Sequence, residues 1–328
     1  YYIPSEKILH TITEKEIDTI LTGANDPCYV SVFQEKIIQN KGELETSIIV
    51  SQEPTGCVTS RPYKLFYRPT LTEKVYTSDL LYFIDYLCVK REQDTKKLNR
   101  MLLQTHEYNQ RIKNSDVLVS LIKKEIDLFE GVIPVVKYNT STYYLPVLHP
   151  ISLPPDCELI KIESTNIHIL TDYLYNMTHN NYDNVENMFD MCVLQDTVYY
   201  LSQIKAGIQH IYCLRHKEHV YGIYFFKNTY TEYEDIEGKV LMFSMSIKNI
   251  SDNNVYYSGF INSMCKIINE KQNQYKMLMV ENISHNNHIT SLWELYNKPI
   301  FVNKTAYYLY NFIYPCSPLL PEKTLIIT

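Results

Sequence analysis

The stretch Leu80–Asn114, LLYFIDYLCVKREQDTKKLNRMLLQTHEYNQRIKN, decides the fold. Its first part, Leu80–Val89, is an apolar run interrupted only by Asp85, a pattern typical of a strand buried on both faces. The polar segment Lys90–Lys97 follows. Apolar positions then recur at spacings of three and four, which predicts an amphipathic helix with this buried face: Leu98, Met101, Leu102, Thr105, Tyr108 and Ile112. A basic turn at a helix N-terminus is a ready site for phosphates.

The composition limits the classes of protein. With 328 residues, 45% of them hydrophobic, the chain can bury a large core in one large domain or two ordinary ones. A net charge of −6 argues against a general nucleic-acid binder. We expect a soluble protein because no apolar run is long enough to span a bilayer, and no signal peptide at the start, YYIPSEK.

The distribution of cysteines indicates the cellular compartment, and the amino-acid composition indicates the source genome. Eight scattered cysteines without a CxxC pair predict reduced, buried thiols in an intracellular protein, and Cys88 in particular is interpreted as a packing residue. The 30 tyrosines, together with only 8 glycines, indicate an AT-rich genome such as that of a large DNA virus or a parasitic protist. We therefore expect a cytoplasmic location, in the host cell or associated with a virion.

Periodicity predicts the same order of elements in two halves of the chain. In the first half, it predicts a helix within Tyr2–Leu21 and strands at Tyr29–Phe33, Thr46–Ser51, Gly56–Ser60, Tyr63–Tyr67, Leu80–Val89, Val117–Ile122, Val132–Val136 and Thr142–Val147. In the second half, it predicts helices at Ile167–Tyr175, within Asn184–Leu201, at Tyr256–Ile268 and at His288–Tyr296, with strands at Ile211–Leu214, Val220–Phe226, Val240–Ile247, Tyr275–Val280 and Tyr307–Tyr314.

The proline-rich segment Pro146–Asp156 separates these halves. We therefore expect an α/β fold (an α+β mixed sheet) made of two similar halves, residues 1–150 and 151–328.

Four stretches carry a resemblance to a known family. Tyr86–Val89, followed by the Thr95–Leu98 turn and a helix, resembles the strand-turn-helix signature of the N-myristoyltransferases. Glu281-Asn282 resembles that family's Met-Glu-Asn segment, Tyr307–Asn311 matches its Tyr-Tyr-Leu-Tyr-Asn strand, and Glu322–Thr328 resembles its short hydrophobic C-terminus. The family consists of two tandem GNAT-like acyltransferase halves in one chain, so the resemblance implies the same architecture here.

The resemblance also implies an activity, the transfer of myristate from myristoyl-CoA to the N-terminal glycine amine of a peptide or protein. The general base would be the C-terminal carboxylate of Thr328, which the apolar Leu325–Ile327 segment would bury. The amides of Tyr86 and Leu87 would form the oxyanion hole. The residues expected to bind the acyl-CoA are Tyr86, Leu87, Cys88, Val89, Lys90, Arg91, Thr95, Lys96, Lys97, Leu98 and Asn99. Asp85, inside an apolar run, needs a partner or a polar cavity.

Two alternatives stay open: a related acyltransferase with another acyl chain or acceptor, and a non-catalytic protein that keeps the acyl-CoA fold for binding or structure. Pro299–Asn303 replaces the family's Gly-Asp-Gly turn, and its bulky residues would reshape the peptide pocket. His285 and His288 lack nearby acidic or cysteine ligands, so no metal is expected. We expect a monomer with no transmembrane segment and no nucleic-acid partner.

Overall fold

The computed structural model describes residues 8–10, 12–40, 47–68, 77–90, 95–117, 119–126, 128–129, 131–179, 189–233, 236–271, 274–310, 312 and 317–328. These residues form the strands β1 (Ile8–His10), β2 (Tyr29–Asn40), β3 (Ser47–Tyr67), β4 (Thr77–Val89), β5 (Val119–Glu125), β6 (Val136–Tyr144), β7 (Cys157–Lys161), β8 (Met191–Leu194), β9 (Gln209–His216), β10 (His219–Tyr233), β11 (Ile236–Lys248), β12 (Tyr275–Glu281), β13 (Phe301–Tyr310) and β14 (Thr324–Ile326). The helices are α1 (Glu14–Thr22), α2 (Thr95–Lys113), α3 (His168–His179), α4 (Thr197–Ala206), α5 (Asn253–Glu270) and α6 (Asn286–Trp293).

All of these strands belong to one mixed sheet, which repeats a pattern. In one part, β2, β3 and β4 are antiparallel neighbours, and helix α2 connects β4 to the parallel strand β5. In the other, β9, β10 and β11 are antiparallel neighbours, and helix α5 connects β11 to the parallel strand β12. This repeat confirms the predicted α/β class with two GNAT-like halves.

The two repeats exchange strands at the centre of the sheet. Strand β6, which follows the first repeat, pairs with β12 of the second, and β13, which follows the second repeat, pairs with β5 of the first. Strands β6 and β13 also pair with each other, so the sheet is continuous from one repeat into the other. The exchange brings side chains from both repeats together.

Helix α2 buries a different face from the one that its apolar spacing predicts. The buried residues are Leu98, Leu102, Leu103, His106, Glu107 and Gln110, whereas Met101, Tyr108 and Ile112 are exposed. Glu107 and Gln110 can be buried because the hydroxyl groups of Ser60 and Ser120 hydrogen-bond to them. The predicted buried face of α2 was therefore wrong, because apolar spacing does not reveal the buried polar side chains of His106, Glu107 and Gln110.

Several predicted element boundaries are also wrong. Ile8–His10 is a strand and not part of a helix, and Val132–Val136 is irregular up to the start of β6. Met191–Leu194 is a strand within a segment that was predicted to be helical. The last strand, predicted to start at Tyr307, starts at Phe301, because Phe301–Tyr307 pairs with β6.

Pro62 lies inside β3, where the sequence predicted a break. The first residue of β2 lies opposite Ser60 and the last residue of β8 lies opposite Lys64. Among the described residues, no strand therefore pairs with Pro62 on that side, and its missing N–H is tolerated. Among the residues that the structure describes, no helix is both long and apolar enough to cross a membrane.

Candidate functional site

Strand β4 contains a β-bulge near its C-terminal end. The register with β3 shifts there, so Tyr86 and Leu87 together lie opposite Val58. Tyr86 has a φ of 48°, in the left-handed region that non-glycine residues rarely adopt. Its carbonyl oxygen accepts a hydrogen bond from the Cys57 thiol at 3.6 Å. A bulge removes main-chain groups from regular ladder pairing, here those of Tyr86 and Leu87.

The bulge lies where two parallel strands separate. Strands β4 and β5 pair only as far as Ile84 opposite Ile122, whereas β5 continues to Glu125 beside β13. Within the described part of the chain, Tyr86–Val89 therefore have a strand neighbour on the β3 side only. Among the described residues, a gap therefore separates the main chain of this segment from β5.

Asp85, directly before the bulge, has the partner that its position in an apolar run required. One carboxylate oxygen, Oδ2, accepts a hydrogen bond from Arg61 Nη2 at 2.8 Å, and Oδ1 accepts one from the Tyr86 amide at 2.9 Å. Burial by itself would raise the pKa of the Asp85 carboxyl, but Arg61 and Lys227 outweigh it and lower the pKa. The amide of Tyr86 is thus engaged by its own neighbour, and the side chain of Asp85 keeps 32% of its surface accessible.

Arg61 holds this arrangement from inside the core. Its side chain is 2% exposed, and its other terminal nitrogen, Nη1, donates a hydrogen bond to the Tyr199 hydroxyl. The guanidinium carbon lies 5.6–5.8 Å from the ring centroids of Tyr63, Phe83 and Tyr199, within the range of cation–π attraction. A buried cation with these contacts fixes the position of the Asp85 carboxylate.

A second charged group lies where the repeats meet. Lys123 of β5 contacts Glu281 of β12 at 2.5 Å and Glu125 at 2.8 Å, and the Tyr138 hydroxyl donates to Glu281 at 3.0 Å. Burial would lower the pKa of Lys123, but the two glutamates outweigh it and raise the pKa, so Lys123 is charged. Tyr307 stacks against Tyr138 at a centroid distance of 6.0 Å.

The C-terminal segment enters the same region as a buried strand. Leu325, Ile326 and Ile327 are at most 1% exposed, and β14 pairs in parallel with β8. The main-chain oxygen of Thr328 accepts a hydrogen bond from Lys227 Nζ of β10 at 3.5 Å. The predicted burial of the apolar segment is therefore confirmed, and Lys227 is a neighbour that sequence reasoning did not anticipate.

The residues predicted to bind phosphates lie in several environments. Thr95 begins helix α2, Lys96 and Lys97 are exposed in its first turn, and Lys90 forms an exposed ion pair with Glu53 at 2.8 Å. Arg91 lies outside the described residues.

Three further residues that were predicted to contact the acyl-CoA lie mostly within the packing beside the bulge: Val89, Leu98 and Asn99. The side chain of Leu98 belongs to the hydrophobic core beneath α2, together with Leu87, and Val89 packs against it. Asn99 is partly buried behind this turn. Of the residues of this turn that the structure describes, Lys90, Lys96 and Lys97 are exposed.

The interpretation of Cys88 as a buried packing residue was wrong. Cys88 is exposed and lies directly opposite Cys57 on the neighbouring strand. A hydrogen bond from Cys88 lowers the pKa of the Cys57 thiol to about 7. The pair lies beside the bulge, so the end of the gap is polar.

Several residues of the site have a common signal that the sequence reasoning missed. Each is a charged residue within a strand of the sheet, as Asp85 is: Arg61, Lys123 and Lys227. A charge in such a strand needs a partner across the sheet. The sequence does not show which strands are neighbours, so these partners could not be named in advance.

Comparison with solved structures identifies the fold. The chain is similar to crystal structures of Saccharomyces cerevisiae N-myristoyltransferase with bound myristoyl-CoA. One matches with a TM-score of 0.63 and 12% identity over 96% of this chain and 74% of that chain. Another matches with a TM-score of 0.57 and 14% identity over 82% and 69%. The chain has the fold of that enzyme.

Sequence comparison does not detect this likeness. No protein-family model matches the chain, and no curated protein sequence matches it either. A third structure of the yeast enzyme, with myristoyl-CoA and inhibitors, gives a TM-score of 0.57 at 14% identity over 82% of this chain and 67% of that chain. Within the described residues, no group of three or more His, Cys, Asp or Glu side chains is placed to hold a metal ion.

Proposed function

We propose that the protein is an acyltransferase that moves myristate from myristoyl-CoA to the N-terminal amine of a glycine-starting peptide. The observation that carries this proposal is the bulge at Tyr86–Leu87, located where β4 and β5 separate in a fold shared with N-myristoyltransferase. That enzyme has been crystallised with bound myristoyl-CoA. The protein would act as a monomer in the cytoplasm.

The gap between β4 and β5 would receive the acyl-CoA. The pantetheine chain would lie along the main chain of Tyr86–Val89, and the phosphates would meet Lys96 and Lys97 at the start of α2. Neither lysine can form the bidentate contact that arginine makes with a phosphate. Because both lysines are exposed, added salt would weaken their contact with the coenzyme A phosphates strongly.

Attack on the thioester places negative charge on its oxygen, which the amides of Tyr86 and Leu87 would stabilise. One donor of this kind is worth about 2.7–4 kcal/mol. The Tyr86 amide must first exchange the Asp85 carboxylate for the substrate oxygen. The Asp85–Arg61 pair would hold the displaced carboxylate beside the incoming amine.

The acceptor amine is protonated near neutral pH and has to lose a proton before it attacks. With Thr328 as the last residue, its carboxylate would lie inside the protein at the end of the buried Leu325–Ile327 segment and could accept that proton. Glu281, Lys123 and Glu125 would surround the acceptor peptide on the other side.

One observation favours a second candidate, a protein that binds acyl-CoA without transferring the acyl group. The Tyr86 amide is already bonded to Asp85, so one of the two oxyanion donors is occupied. In that case, acyl-CoA would bind in the gap and the thioester would remain intact.

Transfer of labelled myristate to a panel of glycine-starting peptides tests the proposal. The chain ending at Thr328 should acylate some of these peptides, and a chain extended by one residue should lose most of the rate while binding myristoyl-CoA normally. Unchanged rates in the extended chain would exclude the terminal carboxylate as base. Tight binding of myristoyl-CoA with no transfer to any peptide would favour the second candidate.

A further inference from the structure

Two cysteine thiols lie beside each other next to the bulge of β4. Cys57 of β3 is directly opposite Cys88 in the antiparallel register, and a hydrogen bond joins the two free thiols. Directly opposite residues of antiparallel strands have Cα atoms about 4.5–5.5 Å apart, within the range of about 4.4–6.8 Å that disulfides span. A disulfide between these residues therefore needs no change in the register of the two strands.

The face of the sheet that carries this pair is accessible. Gly56 lies on the face that α2 covers, because a side chain at Gly56 would meet Leu102. Successive residues of a strand point to opposite faces, so Cys57 points away from α2. On that face, Val32 of β2 lies opposite Cys57 and is 51% exposed, and Cys88 is exposed as well. A small oxidant can therefore reach the thiols in the folded protein.

The hydrogen bond between the two thiols makes them unequal in reactivity. Cys88 donates to Cys57 and lowers the pKa of the Cys57 thiol to about 7, against the opposing effect of burial. The same hydrogen bond, together with burial, raises the pKa of the Cys88 thiol. A substantial fraction of Cys57 is therefore thiolate near neutral pH, which is the form that attacks an oxidant. A reactive thiol with a second cysteine beside it is the arrangement found in redox sensors.

We propose that Cys57 and Cys88 form a reversible disulfide that ties the bulge of β4 to β3 and thereby slows acyl transfer. The effect on transfer rests on the proposed function, whereas formation of the disulfide does not. The thiols would be reduced in a reducing compartment and would form the bond when the ratio of oxidised to reduced glutathione rises.

The bond forms in two thiol–disulfide exchange steps with oxidised glutathione. The Cys57 thiolate attacks one sulfur atom of the oxidant, so a mixed disulfide forms and one glutathione leaves as a thiolate, which takes a proton from solvent. Cys88 then attacks the Cys57 sulfur atom, and its proton goes to the second departing glutathione. Two protein thiols are thus oxidised to one disulfide, and one oxidised glutathione is reduced to two glutathione thiols.

The disulfide would change the geometry of the gap between β4 and β5. Opposite Cβ atoms lie about 4.5–5.5 Å apart and a disulfide holds them about 3.5–4.5 Å apart, so the bond draws Cys88 about 1 Å towards β3. It also removes the S–H group of Cys57, which donates to the Tyr86 carbonyl oxygen at 3.6 Å. A displacement of about 1 Å near a reaction centre can reduce the rate by about 100-fold.

Peptide mapping tests whether the bond forms. The folded protein is equilibrated in glutathione buffers with rising ratios of oxidised to reduced form, alkylated, and digested without reduction. Mass spectrometry should find the Cys57–Cys88 disulfide as the main cross-link, and dithiothreitol should restore both thiols. A different main cross-link, a stable mixed disulfide with glutathione, or free thiols at both positions in the most oxidising buffer would overturn the inference.

Two variants test the effect on transfer of labelled myristate. Cys57→Ser removes the pair but keeps a hydroxyl group that can donate to the Tyr86 carbonyl oxygen, so its rate should stay near that of the reduced wild type in every buffer. The wild-type rate should fall by about tenfold or more on oxidation and recover with dithiothreitol. Cys28→Ser is the matched control, because Cys28 is also partly buried but burial raises its pKa to about 11. This variant should respond to oxidation as the wild type does.

The outcomes separate this inference from the proposed function. A Cys57–Cys88 disulfide with an unchanged transfer rate, or an equal loss of rate in Cys57→Ser, would overturn the control of transfer by this pair. If the reduced wild type transfers no acyl group, the proposed function fails, and NMR of the amides of Tyr86–Val89 still tests the disulfide without turnover. Their chemical shifts should change on oxidation as far as Tyr86 in the wild type and stay constant in Cys57→Ser. Constant shifts at Tyr86 in the wild type would refute the movement of the bulge.

Discussion

Arg61 and Asp85 form an ion pair of 2.8 Å between two neighbouring strands of the sheet, with the arginine side chain only 2% exposed. Asp85→Ala leaves the guanidinium group buried without its carboxylate. Removing one partner of a buried pair costs about 3–5 kcal/mol, and we expect the lower end because Asp85 keeps 32% accessibility. Urea denaturation measures the loss.

The exposed pair Lys90–Glu53 offers a matched control, since its distance is also 2.8 Å and both side chains are about half exposed. Glu53→Ala should leave the stability close to that of the wild type, because solvent screens an exposed ion pair. Equal effects of Asp85→Ala and Glu53→Ala would contradict the burial of Arg61.

Glu281 joins the two repeats, because it binds Lys123 of β5 and Tyr138 of β6. Glu281→Ala should destabilise the protein by about 3–5 kcal/mol, since Lys123 would lose a buried partner. Glu294 is the control. It accepts a hydrogen bond from Tyr143, which lies in β6 as Tyr138 does, but Glu294 is exposed. Its replacement by Ala should cost about 1 kcal/mol. Similar thermal shifts for the two variants would show that Glu281 does not hold the repeats together.

Lys227 makes a prediction about stability that is independent of activity. Its pKa is lowered from 10.5 to about 8, so the folded state disfavours its charged form. This penalty is fully present below pH 8 and disappears as the pH rises from 8 to 10.5, because the unfolded chain then binds more protons than the folded one. Lys227→Met should therefore be more stable than wild type at pH 7, by up to about 3 kcal/mol. Denaturation at pH 7 and pH 10 should show the advantage shrinking, whereas a constant difference would indicate a packing effect alone.

The buried C-terminal segment should contribute to both stability and transfer. Leu325 is fully buried, so Leu325→Ala should cost about 2–5 kcal/mol. Leu320, which is 58% exposed just before the segment, is the control, and Leu320→Ala should have an effect within about 0.5 kcal/mol. Transfer rates should fall only in the first variant, because a loosened strand no longer holds Thr328 beside Lys227.

The sequence predicts the parts of the fold whose signal is local. The run Leu80–Val89 is a strand because its apolar side chains pack on both faces, and Leu325–Ile327 is buried because its apolar side chains gain free energy by leaving water. Asp85 was expected to need a partner, but its partner Arg61 comes from another strand. The register between strands, the bulge and the position of Lys227 depend on long-range pairing, which residue spacing does not encode.

Helix α2 shows the same limit and gives a last prediction. Periodicity places Ile112 in the core, but it is 66% exposed, and Gln110 is 1% exposed. Gln110 bonds to Ser60 at 2.5 Å and to Ser120 at 3.1 Å, so Gln110→Ala removes the partner of the buried Ser60 hydroxyl, whereas Ser120 keeps its bond to Glu107. Such a loss costs about 1–3 kcal/mol, whereas Ile112→Ser should lie within about 0.5 kcal/mol of wild type. Urea denaturation of both variants decides between the two faces, and a larger effect of Ile112→Ser would restore the face that apolar spacing predicts.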